Sequence, residues 1–189
     1  EFIRSDDPAS KLTQADNASF LPSKQLYYPV DKKEVLATGT VAAKDDSMIV
    51  DKLDINLTGN YLSKDEMIIL DIINNNKWKR PIYFAVTVGR DKYLNLQEYF
   101  QAEGFAYRLV PIKTKVKDSQ IGRVESKLMY DNIINKFKWG NMNDPKVYLD
   151  ENNMRMSMNI RNNFVRLADQ LIVEGKTDSA VAVLDRCNE

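Results

Sequence analysis

The sequence predicts an α/β fold: a small, mostly parallel sheet of β-α-β-α-β order flanked by helices, followed by an α-helical, tetratricopeptide-like hairpin. Three observations predict it. Between Ile49 and Ile112, runs of β formers alternate with helical segments over short connections, the order that favours parallel strands joined by right-handed crossovers. Pro81 to Val88 is continuously apolar, as expected of a central strand covered on both faces. From Asp150 onward, apolar residues recur at helical spacing, interrupted at Gly175. The expected organisation is an extended leading segment over 1–24, an α/β domain over 25–146 and a helical hairpin, part of a longer array, over 147–189.

Each element has its own local warrant. Residues 1–24 are rich in Ser, Asp, Asn and Pro without an apolar period, so this segment is expected to wrap over the domain, held at Phe20-Leu21. Gln25 to Val30 reads as a short edge strand, because Pro29 is tolerable only where no ladder donor is needed. A short helix from Lys32 to Leu36 follows, capped by Asp31. Asp51 to Leu57 alternates apolar and polar, the period of a strand with one wet face. Ser63 and Glu66 have capping-box spacing, and Met67 to Ile73 is apolar nearly all round, which predicts a buried helix to about Asn76.

Asn95 with Glu98 repeats the capping-box spacing, and Leu96, Tyr99 and Phe100 share a helical face that Gly104 would end. Phe105 to Val110 is then a strand, expected to run parallel to Ile82–Val88. Glu125 to Trp139 is expected to be helical, with Leu128, Ile133 or Ile134, and Phe137 turned to the domain. In the last segment Asp150 caps a long helix on which Met154, Met158, Val165, Ala168 and Ile172 recur. A second helix from about Asp178 carries Ala180, Val183, Leu184 and Cys187 as one stripe. The spacing of Ala168, Leu171, Gly175, Ala180, Leu184 and Cys187 is that of the small and large positions of a repeat of about 34 residues.

Composition excludes several functions. Of the 189 residues, 27 are basic and 27 acidic, so no global field draws the chain to nucleic acid, and no nucleic-acid partner is expected. Histidine is absent, which removes His-based triads and His-ligated zinc. The lone Cys187 supplies neither an intramolecular disulfide nor a metal-binding pair. The 7 glycines include no Gly-x-Gly-x-x-Gly or phosphate-loop pattern. No cofactor, no metal site and no catalytic residue is expected. No stretch approaches the ~18 apolar residues of a membrane span, and Glu1 to Pro8 is not a signal peptide.

Several strings nonetheless resemble a known family. They are Ser5-Asp6-Asp7-Pro8, Leu21-Pro22-Ser23-Lys24, Lys79 to Ala85, Glu103-Gly104 with Tyr107 to Pro111, Met129 to Asn132, and, most specific, Tyr148-Leu149-Asp150-Glu151-Asn152-Asn153-Met154-Arg155. Together they are similar to the soluble C-terminal region of a multi-pass membrane protein family of Bacteroidetes grouped with protein O-mannosyltransferases. That resemblance implies a C-type glycosyltransferase-like parent whose acidic catalytic residues lie in its hydrophobic N-terminal half. It also implies an extracytoplasmic (periplasmic) address at the inner membrane. The implied partners are the parent's own membrane-embedded half and an acceptor protein or other subunit. No catalytic residue transfers onto any position of this sequence, and sugar donor and acceptor stay unspecified.

The binding candidates are Trp78, Lys79 and Arg80, with Trp139 in a similar setting, because each tryptophan stands among cations at the end of an expected helix. Such a group would stack on a sugar ring or sit among headgroups at a membrane surface. The competing structural account has the tryptophan sealing a core edge while the cations complement the helix C-terminus. Asp45-Asp46, Asp65-Glu66 and Asp150-Glu151 read as solvated caps and not as acid pairs for catalysis. Met154 and Met158 read as helix core, with Met156 off that face. Asn17-Ala18-Ser19 and Asn56-Leu57-Thr58 match the glycosylation pattern and are assigned no role.

Overall fold

The computed structural model describes residues 21, 23–115, 120–142 and 144–188. The expected leading segment therefore lies outside the described residues apart from Leu21, Ser23 and Lys24. The first structured unit is an antiparallel pair, β1 (Gln25–Pro29) with β2 (Lys52–Asn56), in the register Gln25 to Asn56 and Pro29 to Lys52. Pro29 sits at the end of an edge strand, where its missing donor costs nothing. Leu53 and Ile55 of β2 are buried while Lys52 and Asn56 are exposed, so the alternation in the sequence is realised. Helix α1 (Lys32–Ala37) begins where Asp31 Oδ1 accepts the Lys33 and Glu34 amides at 3.0 and 3.2 Å.

Helix α2 (Lys64–Asn76) begins as its capping-box sequence indicates, with Glu66 Oε2 accepting both the Ser63 amide and hydroxyl at 2.8 Å. Its burial differs from expectation. Only Ile73 is fully buried, while Ile68 is 59% and Ile72 49% exposed. Six large apolar residues ring this helix, and the short β1–β2 pair on one side covers too little of them.

The second sheet has four strands in the order β3-β5-β4-β6: β3 (Tyr83–Ala85), β4 (Phe100–Ala102), β5 (Ala106–Leu109) and β6 (Arg123–Val124). The mixed α/β class holds, but the strand directions correct the expected mostly parallel sheet. β5 is antiparallel to both β3 and β4, and only β4 with β6 is parallel. The cause is local. The helix expected after Asn95 is a single 3-10 turn, Gln97–Tyr99, preceded by left-handed Leu94 and Asn95 at φ 52° and 58°. The Asn95 side chain donates to the Asn56 carbonyl across the fold and does not cap a helix. The chain then enters β4, and the three residues between β4 and β5 permit only an antiparallel hairpin. Among the described residues Ile82–Val88 contains an edge strand and not the expected central one; β5 and β4 take the interior places.

Between sheet and helices lies an aromatic core. Phe84, Tyr93, Phe100 and Tyr107 meet at centroid distances from 4.8 to 6.3 Å, with Phe100 and Tyr107 stacked 10° from parallel. Gly122, at φ +72°, crosses this core so closely that a Cβ would stand 2.4 Å from the Phe100 carbonyl oxygen. Helix α3 (Ser126–Tyr130) runs into a π-type turn, Asp131–Lys136, and of the two candidate isoleucines Ile133 is the buried one.

The C-terminal hairpin is present as helices α4 (Glu151–Val173) and α5 (Thr177–Asn188), reversing at Gly175 with φ +74°. Ala168, Leu171, Ala180 and Val183 are interior as expected, but the rest of the stripe is rotated. Phe164, Leu167, Ala168 and Leu171 face Ala180 and Val183 in the interior, whereas Met154, Met158, Val165, Ile172 and Leu184 are exposed. The reason is that α4 also packs on α3 and β6, which selects the face one residue away from Val165 and Ile172. Arg166 donates to the Ile121 and Gly122 carbonyls at 2.7 and 3.2 Å, and the Ser126 hydroxyl donates to Glu174 at 2.7 Å.

Candidate functional site

The structure separates the two tryptophans. Trp78, Lys79 and Arg80 stand together just past α2, where Lys77 and Trp78 both take left-handed conformations at φ 46° and 62°. These two residues fold the indole back under the helix end, so Trp78 is 5% exposed and lies 6.2 Å from the Tyr28 ring. The Asn76 side chain fixes the corner, accepting from the Arg80 amide at 3.2 Å and donating to the Arg80 carbonyl at 2.6 Å. Trp78 is thus chiefly a sealing residue. Above it opens a shallow concavity of about 800 Å³ whose charged lining is Lys32, Lys33, Lys77 and Lys79 together with Asp31 and Glu34. Arg80 is exposed but does not line this concavity.

Trp139 belongs elsewhere, to a cluster with Phe105, Phe137 and Phe164 in which it contacts Phe164 at 5.4 Å. It walls a cavity of about 160 Å³ with Ile160, Phe164, Arg161, Arg186 and Cys187. No residue lining the Trp78 concavity lines this cavity.

A third region was not legible as a site in the sequence. On one flank of α2 a groove of about 640 Å³ runs between the helix and the β1–β2 pair, lined by Leu26, Tyr27, Ile55, Met67 and Ile68 among others. On the other flank a groove of about 250 Å³ separates α2 from β3. The one sequence signal for both was the mismatch between an all-round apolar helix and the short strands available to cover it.

Charges near these grooves are held in fixed states. The Ser63 hydroxyl and the Lys92 ammonium, 3.0 Å away, hold the Asp65 carboxyl down at about 2, and Asp65 raises Lys92 in turn. Glu66 is held below its usual range by the Ser63 amide and hydroxyl. Burial, together with the 2.7 Å bond to Glu103, pushes Tyr83 up to about 12. Glu103 is itself 6% exposed and accepts from Gln101 at 2.8 Å, with Arg108 at 3.7 Å. This buried carboxylate is a paired node beneath the sheet and opens onto none of the cavities described.

Among the described residues no three His, Cys, Asp or Glu side chains converge on a point that would hold a metal ion, and no helix is long and apolar enough to cross a membrane. Apolar grooves thus flank one helix on both sides, and a concavity lined by lysines together with Asp31 and Glu34 lies at its end. No curated protein and no solved structure shows detectable similarity to the chain. A family model described as TMEM260-associated domain 2 matches residues 1–128, more than half of the sequence, and the chain therefore belongs to the TMEM260-associated domain 2 family.

Proposed function

We propose that this chain is a non-catalytic accessory module of a membrane glycosyltransferase of the protein O-mannosyltransferase kind. In this reading it stands on the extracytoplasmic (periplasmic) side of the inner membrane and holds the parent's membrane-embedded half or an acceptor protein. The observation that carries the reading is the exposure of Met67 and Ile68 on α2 beside a wide apolar groove, in a chain belonging to a family associated with a membrane protein. Exposed apolar surface of this kind marks interaction sites in proteins that do not aggregate. Lys79, on the rim of the concavity past the end of the same helix, would meet an anionic or sugar-bearing partner, with Trp78 sealed beneath it.

The test is glycosyl transfer by the full-length parent carrying Met67→Glu and Ile68→Glu. Transfer to acceptor protein is expected to fall at least tenfold while the module stays folded by circular dichroism. Unchanged transfer to every acceptor tested would end this reading. A second reading is an interaction scaffold of the tetratricopeptide type, unrelated to sugar transfer. It is favoured by the exposure of Val165, Ile172, Val181 and Leu184 across both helices of the hairpin. Lengthening the chain by one helical repeat is then expected to raise the Tm, and an unchanged Tm would count against an array.

A further inference from the structure

Three segments close around the cavity at Trp139. On α4, Ser157, Ile160, Arg161 and Phe164 are spaced by three and four residues, so they share one face of the helix and form a single wall. Trp139, Met142 and Leu149, from the segment ahead of α4, make a second wall, and Arg186 and Cys187 of α5 a third. Phe164 is 3% exposed and forms the floor, whereas Met142 and Arg161 are exposed and mark the mouth. All of these residues lie beyond residues 1–128, outside the part of the chain that the family model matches.

Size and chemistry restrict what fits. At about 160 Å³ the space is too small for a helix or a strand and close to the roughly 150 Å³ of an apolar cavity that takes one benzene ring. Trp139 and Phe164, 5.4 Å apart and tilted by 42°, offer a ring the tilted contacts that aromatic groups favour. The charged residues that line the cavity are Arg161 and Arg186, with no carboxylate among the lining. Arg186 is already engaged within the chain. Arg161 has no hydrogen bond or ion pair among the described residues, and the positions one turn away on α4, Ser157, Met158, Phe164 and Val165, carry no carboxylate. The Ser157 hydroxyl is committed to the Asn153 carbonyl at 2.9 Å. One guanidinium left to pair at the mouth of an apolar cavity suits a single anionic group, and its planar fork matches a carboxylate.

We propose that this cavity binds a small aromatic monocarboxylate, with its ring against Trp139, Ile160 and Phe164 and its carboxylate on Arg161. The apolar walls supply the affinity, and Arg161 selects the acid over a neutral molecule of the same shape. The site stands apart from the glycosyltransferase reading, which concerns α2, so either can fail without the other.

The experiment titrates the whole chain with phenylacetate, following the indole N–H resonances of Trp78 and Trp139 by NMR and the affinity by calorimetry. With about ten heavy atoms, phenylacetate is expected to bind with a Kd of about 1 mM and to shift the Trp139 resonance while leaving that of Trp78 in place. Phenylacetamide, of the same shape without the charge, is expected to bind about threefold to fivefold more weakly. Arg161→Gln is expected to bring acid and amide to equal affinity, and because Arg161 is exposed the variant keeps the fold. Acetate, which has the charge and lacks the ring, is expected to leave Trp139 unshifted at the same concentration. Absence of a Trp139 shift at about 10 mM phenylacetate would overturn the proposal. So would an equal shift with acetate, equal affinity of the native chain for acid and amide, or a preference for the acid that survives Arg161→Gln.

Discussion

Helices α2 and α4 reverse what their compositions suggest. α2 carries Met67, Ile68, Ile69, Leu70, Ile72 and Ile73 within 13 residues yet fully buries only Ile73, whereas α4 is far more polar and fully buries Asn163, Phe164, Leu167, Ala168 and Leu171. The difference is supplied by partners. The C-terminal half of α4 has α3, β6 and α5 against it, while α2 has a two-stranded ribbon on one side and a sheet edge on the other. Apolar content therefore sets how much a helix stands to gain from burial, and the surrounding elements decide how much of that is realised.

The sharpest way to break this contrast is to truncate one residue in each helix. Leu167→Ala, at a fully buried site of α4, is expected to cost about 2–5 kcal/mol in urea unfolding. A loss below about 1 kcal/mol would show that the hairpin does not share the core. Gly122→Ala comes next, at about 1–3 kcal/mol, because a methyl group there meets the Phe100 carbonyl and the backbone is left-handed; its Tm reports it. Removing the link between hairpin and helix α3 with Ser126→Ala is expected to cost about 1.5–3 kcal/mol, the range for a bond to a charged acceptor.

The same link has a pH signature. Burial alone would raise the Glu174 carboxyl, but bonds from Lys176, Gln170 and Ser126 outweigh it and hold the group down at about 2. A carboxyl held lower in the folded chain stabilises it above the ordinary carboxylate value, and that contribution disappears as pH falls toward the folded value. Stability of the native chain should therefore drop between roughly pH 4.5 and pH 2 more steeply than that of Glu174→Gln; parallel urea midpoints for the two would remove Glu174 from the account. The smallest effect is expected on α2, where Ile68→Gln should change stability by no more than about 0.5 kcal/mol. A cost near that of Leu167→Ala would mean that Ile68 is covered in solution and is not a free docking face.

Features fixed by neighbours in the chain were legible in the sequence. Asp31 and Ser63 with Glu66 mark true helix starts, Leu53 and Ile55 mark the wet-and-dry alternation of β2, and Gly175 marks the reversal of the hairpin. What failed depends on distant contacts. Leu96, Tyr99 and Phe100 share a helical face on paper, but all three are buried from different sides by a 3-10 turn and a strand, and no residue type announces left-handed Leu94. Once that segment is taken for a helix, the short β4–β5 hairpin is hidden and a parallel sheet becomes the natural inference. The stripe of α4 is legible at Ala168 and Leu171 but runs one residue away from Val165 and Ile172 for a related reason: Val165 and Phe164 are adjacent, and only the elements packed beneath choose between them. Of the candidate binding residues, Trp78 and Trp139 look alike in sequence because each stands among lysines; the left-handed pair at Lys77 and Trp78 is what tucks the first away.

The 23-residue helix α4 is also a mechanical part. At 1.5 Å per residue it is a rod about 35 Å long, gripped near one end by Arg166 and Glu174 and exposed over its first two turns around Met154. A rod clamped at one end is a lever. A ligand or partner engaging the Met154 end would act at a long distance from the grip, so a modest push there becomes torque on Arg166 and Glu174, which is delivered to Gly122 just ahead of β6 and to Ser126 at the start of α3.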